Sequence, residues 1–449
     1  MKLLKIGISG VRGIVGESIT PPLVMDFASA FGAFVGGKLV LIGRDTRVHG
    51  PMLQSASAAA LLSSGCDVVD LGICPTPVLQ HAVRARRAGG GIAVTAGHND
   101  IQWNALTFIH SGGTYLNSFQ GAEVLDLYHL GRTKKADTDH LGTLTGDAGA
   151  AEGYFEALGA FLDADAVRRA RFKVVIDACS GAGADLLERF AALLGFDLIP
   201  INNEPNGFFP HDPEPRPRNA QQVVSVVKAV GADAGFLLNS DVSRVSLVSE
   251  TGESLSEEFT FPLVADSYLA GRSGVVVTNF STSRMIEDVA AARRCPIVRT
   301  KVGQSHAIQA LFQEEGVLAG EGSGGVAIPA FQSAFDGFLT MGYILEILAR
   351  SGKRLSALAG ALPRYHIVKE KIYCPPSIIH SVVNAAEALF HGRAVDTGDG
   401  LRVEDRGGWV QVRISATEPM IRVIAEDRNK ERARAKADEI LHELELLMR

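Results

Sequence analysis

Four short polar segments of this 449-residue chain carry residue types that chemistry needs. The first, Ala96-Gly97-His98-Asn99-Asp100, follows an apolar strand at Ile92 to Thr95. Its His98 is a base or nucleophile by type, although a loop histidine more often serves structure. The second, Asn239-Ser240-Asp241-Val242-Ser243-Arg244, leaves an apolar run that starts at Gly235. It offers one carboxylate beside amide and hydroxyl oxygens, and Asp241 with Arg244 reads by default as a surface ion pair. The third, Glu321-Gly322-Ser323-Gly324-Gly325, sets a carboxylate and a hydroxyl among glycines, where the backbone can approach a ligand's hydroxyls closely or simply turn. The fourth, Arg413 to Pro419, spaces Arg413, Ser415 and Thr417 along one side of an extended segment, a guanidinium and two hydroxyls suited to a phosphate. Its bland alternative is a solvated strand end that turns at Pro419.

Loops so far apart in the chain need a scaffold that brings them together. Three stretches, starting at Leu39, Lys173 and Gly274, share one plan: a β-branched apolar strand, a polar turn, an Ala/Leu-rich helix and a second strand. Their strands are too continuously apolar for a wet face, so each reads as a parallel-sheet unit, and their spacing is that of domains. From about His366 the pattern changes to irregular strands, including an alternating run from Trp409 to Ser415, and an amphipathic helix with Ile440, Leu441, Leu444 and Leu447 on one stripe. The expected fold is α/β: three similar mixed α/β domains in tandem plus a smaller C-terminal α+β domain, over residues 1–150, 151–253, 254–365 and 366–449. Open α/β sheets place ligands at the carboxyl ends of their parallel strands. One loop per domain therefore implies a central cleft shared by all four. The Pro-rich stretch from Asn202 to Asn219 reads as a long ordered connection within the second domain.

Composition narrows the partners. A net charge of -6 is of the wrong sign for a general nucleic-acid binder, and no apolar run is long enough for a membrane span. Five scattered cysteines, with no C-x-x-C pair and no secretory leader at the start, fit a reducing cytoplasm. The Ala-rich helices of the first domain could form a homodimer face. Forty-eight glycines imply many tight loops.

Taken in order, the loops resemble those of the α-D-phosphohexomutase family, which includes phosphoglucomutase, phosphomannomutase and phosphoglucosamine mutase. Gly7-Ile8-Ser9-Gly10-Val11-Arg12-Gly13 is similar to the family's G-T-S-G-x-R-G. Gly43-Arg44-Asp45-Thr46-Arg47, Pro75-Thr76-Pro77, Thr300-Lys301-Val302-Gly303, the Glu321 loop with Asp336-Gly337, and the Arg413 loop with Arg422 continue the match along essentially the whole chain. The resemblance implies that a phosphoserine exchanges its phosphate with a hexose phosphate. It also implies a Mg²⁺ held by that phosphoserine and three aspartates, with Arg12 at the transfer site, Glu321 and Ser323 reading the sugar, and Arg413, Ser415, Thr417 and Arg422 holding a phosphate.

Several of these positions are altered here. The phosphoserine position is Gly97, which has no side chain to carry a phosphate. The three metal aspartates are Asn239, Asp241 and Ser243, leaving one carboxylate, so tight Mg²⁺ binding is expected to be lost. Asp100 replaces a proline, and Thr107 replaces a lysine. Three expectations follow. The first is a protein that binds a hexose phosphate without the usual interconversion, and hence a non-enzyme. The second is an active or altered mutase or phosphotransferase that uses His98 or a direct transfer route. The third is a structural or regulatory partner of an active mutase.

Overall fold

The computed structural model describes residues 4–133, 135–415 and 419–448. Its first sheet has a parallel core, Gly90–Val94 beside Val40–Arg44 beside Val68–Ile73 beside Leu144–Gly146. Three antiparallel strands extend it past Gly90–Val94: Trp103–His110, Gly10–Ile14 and Leu4–Gly7. The second sheet joins Lys173–Asp177, Asp197–Ile201 and Ala234–Leu238 in parallel, with Val245–Ser249 antiparallel at its edge. The third repeats that order with Val276–Asn279, Ile297–Thr300, Leu318–Glu321 and an antiparallel Gly325–Ala327. Each expected strand-helix-strand unit is present, its helix being Gly50–Ser63, Leu187–Leu194 or Met285–Ala292.

Continuous apolarity in these strands follows from having two dry faces. Leu41 faces one core with Val78 and Leu79, while its neighbours Val40 and Ile42 face another with Phe31 and Leu61. In the second sheet Val174 and Ile176 share a core with Phe190, and Val175 turns to the opposite cluster with Val223 and Val227. A parallel sheet covered by helices on both sides allows no polar alternation.

One device recurs in all four domains. The four candidate loops each connect a strand to an antiparallel neighbour: Gly90–Val94 to Trp103–His110, Ala234–Leu238 to Val245–Ser249, Leu318–Glu321 to Gly325–Ala327, and Gly408–Ile414 to Met420–Asp427. In the first three the incoming strand is also the end of the parallel core, so the loop sits at its carboxyl edge.

The fourth domain is a five-stranded antiparallel sheet backed by the helix Lys430–Leu447. That helix buries Ala433, Ala437, Ile440 and Leu444, while Leu447 is exposed. The apolar stripe therefore begins two turns earlier than the leucine pattern suggests, with alanines on the buried side. Among the described residues no helix is long and apolar enough to cross a membrane.

Candidate active site

A cavity of about 470 Å³ opens where the four domains meet, a volume suited to a small ligand. Arg12, Gly97 and His98 line it from the first domain, Asp241, Ser243 and Arg244 from the second, Glu321 and Ser323 from the third, and Arg413, Ser415 and Arg422 from the fourth. Thr417 lies outside the described residues.

The first loop is built around Arg47, which is fully buried. Its Nε donates to Asp45 Oδ2 at 3.0 Å, Nη1 donates to the carbonyls of Asp100 and Trp103, and Nη2 to those of Gly97 and Asn99. One planar fork thus grips both residues flanking His98. Gly97 adopts φ +53°, donates its N–H to Thr95 Oγ1 at 3.0 Å, and accepts from Ser240 Oγ at 2.7 Å. A Cβ at position 97 would lie 3.5 Å from Asp241 Oδ2, in ordinary contact. Arg12 Nη1 donates to Asn99 Oδ1 at 2.8 Å. Burial, together with the charges of Arg244, Arg12, Arg422 and Arg216, holds His98 well below the usual histidine range, so its imidazole is neutral near pH 7.

The second loop closes on its own carboxylate. Asp241 Oδ1 accepts from Asn239 Nδ2 at 2.7 Å, from Ser243 Oγ at 2.7 Å and from the Ser243 N–H at 3.2 Å; Oδ2 accepts from Thr76 Oγ1 at 3.0 Å. The surface ion pair expected between Asp241 and Arg244 is not formed among the described residues, because the carboxylate is buried and taken up by the loop. These donors bear on the metal question. Mg²⁺ wants carboxylate or phosphate oxygens, and here the Asn239 amide and Ser243 hydroxyl point N–H and O–H groups at the one carboxylate. No group of three or more His, Cys, Asp or Glu side chains able to hold a metal occurs among the described residues. The residues present do not fit a Mg²⁺ ion.

In the third loop Glu321 Oε1 accepts the Gly303 N–H at 2.7 Å, and Thr282 Oγ1 accepts the Gly322 N–H at 2.9 Å. A Cβ at position 322 would fall 2.0 Å from Glu258 Oε2, so any larger residue would have to displace that buried carboxylate. Lys369, from the fourth domain, reaches Glu257 Oε1 at 2.9 Å, Glu258 Oε1 at 2.7 Å and the Gly322 carbonyl at 3.0 Å. Burial pushes the Glu258 carboxyl up to about 7. The described residues of the fourth loop are not a solvated strand end. Arg413 and Ser415 are 7% and 3% exposed, with Arg413 Nε 3.2 Å from Asp399 Oδ2 and Arg422 Nε donating to Ser415 Oγ at 3.4 Å.

Asp336-Gly337 stands apart from the cavity. The Asp336 carboxylate caps the helix Gly337–Ser351 and accepts from the Tyr154 hydroxyl of the second domain, so it joins two domains. Conversely, Tyr115, Arg216, His306 and Lys369 line the cavity without a motif to announce them. Arg216 belongs to the Pro-rich stretch, which also packs the Phe209 ring under the Arg47 guanidinium.

Models of the phosphoglucomutase/phosphomannomutase family match the chain in four pieces: alpha/beta/alpha domain I over 3–133, domain II over 152–252, domain III over 256–365, and the C-terminal domain over 377–443. A "Phosphoglucomutase/phosphomannomutase" of Thermococcus kodakarensis is 37% identical over 95% of each chain. A "Probable phosphoglucosamine mutase" of Methanopyrus kandleri is 34% identical over 97% of this chain and 96% of its own. The crystal structure of a phosphoglucomutase/phosphomannomutase family protein from Burkholderia thailandensis superimposes with a TM-score of 0.84 at 26% identity, covering 97% of this chain and 96% of that one. The expectation of a non-enzyme is corrected by these findings. Full-length relatives at this identity are named as mutases, and they point to an enzyme. The lost serine removes one way of carrying a phosphate; it leaves intact a cavity full of groups able to bind one.

Proposed function

This chain belongs to the α-D-phosphohexomutase family, and on that footing we propose that it is a working phosphosugar mutase, moving a phosphoryl group between the 1- and 6-positions of a hexose phosphate. One observation carries the reading: loops from all four domains turn into a single cavity that pairs phosphate-binding cations with sugar-binding oxygens. Arg413, Ser415 and Arg422 suit one phosphate, because a guanidinium fork beside a hydroxyl matches its oxygens. Glu321 and Ser323 suit the ring hydroxyls. Arg12 and Arg244 line the cavity with His98 and would stabilise charge on a transferring phosphoryl group. Gly97 has no oxygen to phosphorylate, so the phosphoryl group is carried by another residue or passes directly between sugars.

The test is a coupled assay for hexose 1-phosphate to 6-phosphate conversion, primed with the matching 1,6-bisphosphate, on glucose, mannose and glucosamine. Turnover on at least one sugar is expected. Silence on all three, with a folded protein, would sink the reading.

A further inference from the structure

We propose that His98 is the phosphoryl carrier of this cleft, receiving the group on a ring nitrogen while arginines supply the positive charge. The inference rests on the mutase reading above and deepens it. Several cavity-lining hydroxyls and the one carboxylate of the second loop are already engaged or weakened as nucleophiles. Thr95 Oγ1 donates to Asp45 and accepts from Gly97, and Ser243 Oγ is engaged by Asp241 and Asn239. The Asp241 carboxylate receives donors on both oxygens, which blunts it as a nucleophile. Burial raises the Tyr115 phenol above its usual range. Ser9 and Thr107 would each need a base, and no described side chain hydrogen-bonds to either hydroxyl. His98 needs none, because a neutral imidazole already exposes a lone pair.

Position supports the same residue. Arg47 holds the carbonyls on both sides of His98, and Arg12 is bonded to the next side chain, Asn99, so the ring stands on a fixed backbone. Arg12, Arg216, Arg244 and Arg422 line the same cavity, where they would stabilise a dianionic phosphoryl group without a metal ion.

The step balances as follows. The lone pair of a ring nitrogen forms an N–P bond as the P–O bond to one sugar oxygen of a hexose bisphosphate breaks. That oxygen leaves with the electron pair and takes, through solvent, the proton given up by the other ring nitrogen. A hexose monophosphate and a phosphohistidine result, with total charge unchanged. When the phosphoryl group taken is the one on O1, the product is the 6-phosphate, and the phosphohistidine then gives its group to the free 6-hydroxyl of an incoming hexose 1-phosphate, which regenerates the bisphosphate and the unphosphorylated ring.

The experiment incubates the full chain with glucose 1,6-bisphosphate labelled in both phosphates, and with the mannose and glucosamine counterparts, in EDTA. An alkali-stable, acid-labile label on the peptide containing His98 is expected, lost in both His98→Gln and His98→Asn while each variant keeps its melting temperature. An acid-stable label, a label that requires added Mg²⁺, or mutase turnover unchanged in His98→Gln overturns the assignment but leaves the mutase reading standing. Neither label nor turnover on any of the three sugars overturns both.

Discussion

Arg47 shows how much of the site one side chain can organise. Its guanidinium is buried against Asp45 and four loop carbonyls, so replacing it leaves a buried carboxylate and several unmet acceptors. Arg47→Leu is expected to cost about 3 to 5 kcal/mol, read from the denaturation midpoint, and to abolish turnover by releasing residues 97–100. Arg47→Lys should recover little, because a point charge cannot reproduce the fork. The second loop makes a complementary case. If its hydrogen-bonded trio is what excludes Mg²⁺, then Asn239→Asp with Ser243→Asp should create a metal site. The double variant is expected to melt lower than wild type without metal, from three crowded carboxylates, and to be raised by millimolar Mg²⁺. Wild type should not respond. A Mg²⁺ shift in the wild type would refute this account of the loop.

Among the elements, the Pro-rich connection changes most between sequence and structure. Prolines keep it out of α-helix and sheet, apart from a 3-10 turn at Pro217–Asn219, yet it brings Arg216 to the cavity and Phe209 under Arg47. His211 pins it: Nε2 lies 3.2 Å from Asp177 Oδ2 and Nδ1 lies 2.8 Å from the Asp212 carbonyl. Two acceptors on one ring call for two N–H groups, which is the imidazolium. Burial opposes that charge, but the hydrogen bond and charge of Asp177 outweigh it, and the His211 pKa is raised. A histidine whose folded pKa exceeds its unfolded value stabilises fully below the unfolded value of about 6.5 and loses that contribution as pH rises through the folded one. His211→Ala should therefore lower the melting temperature most at pH 5.5 to 6 and distinctly less at pH 9. An equal loss at both would show that the ring acts by packing alone.

On the scale of the whole molecule, the cavity depends on how the fourth domain meets the third. Lys369 is central, neutralising Glu257 and Glu258 and holding the Gly322 carbonyl. Lys369→Met strands two buried carboxylates and is expected to destabilise by about 3 kcal/mol at pH 8. The Glu258 carboxyl already titrates near 7, and losing its cation raises it further. A carboxyl raised above its unfolded value is least costly when protonated, so the deficit should shrink as pH falls toward 5, as paired melting curves would show. By itself, the sequence determined the three repeated α/β units, the smaller fourth domain and the loops that end their strands. Those follow from local periodicity and residue type, which solvent exclusion converts directly into strands and helices. It also exposed the missing serine and carboxylates at Gly97, Asn239 and Ser243. It did not determine what those losses mean. That Asp241 is satisfied by its own loop and by Thr76 of the first domain, that Arg216 and Lys369 reach the cavity, and that four arginines share it with His98 are facts of tertiary structure. Electrostatic coupling depends on distance in space and on exclusion of water, and residues a hundred or more apart in the chain acquire both only when the domains close on one another.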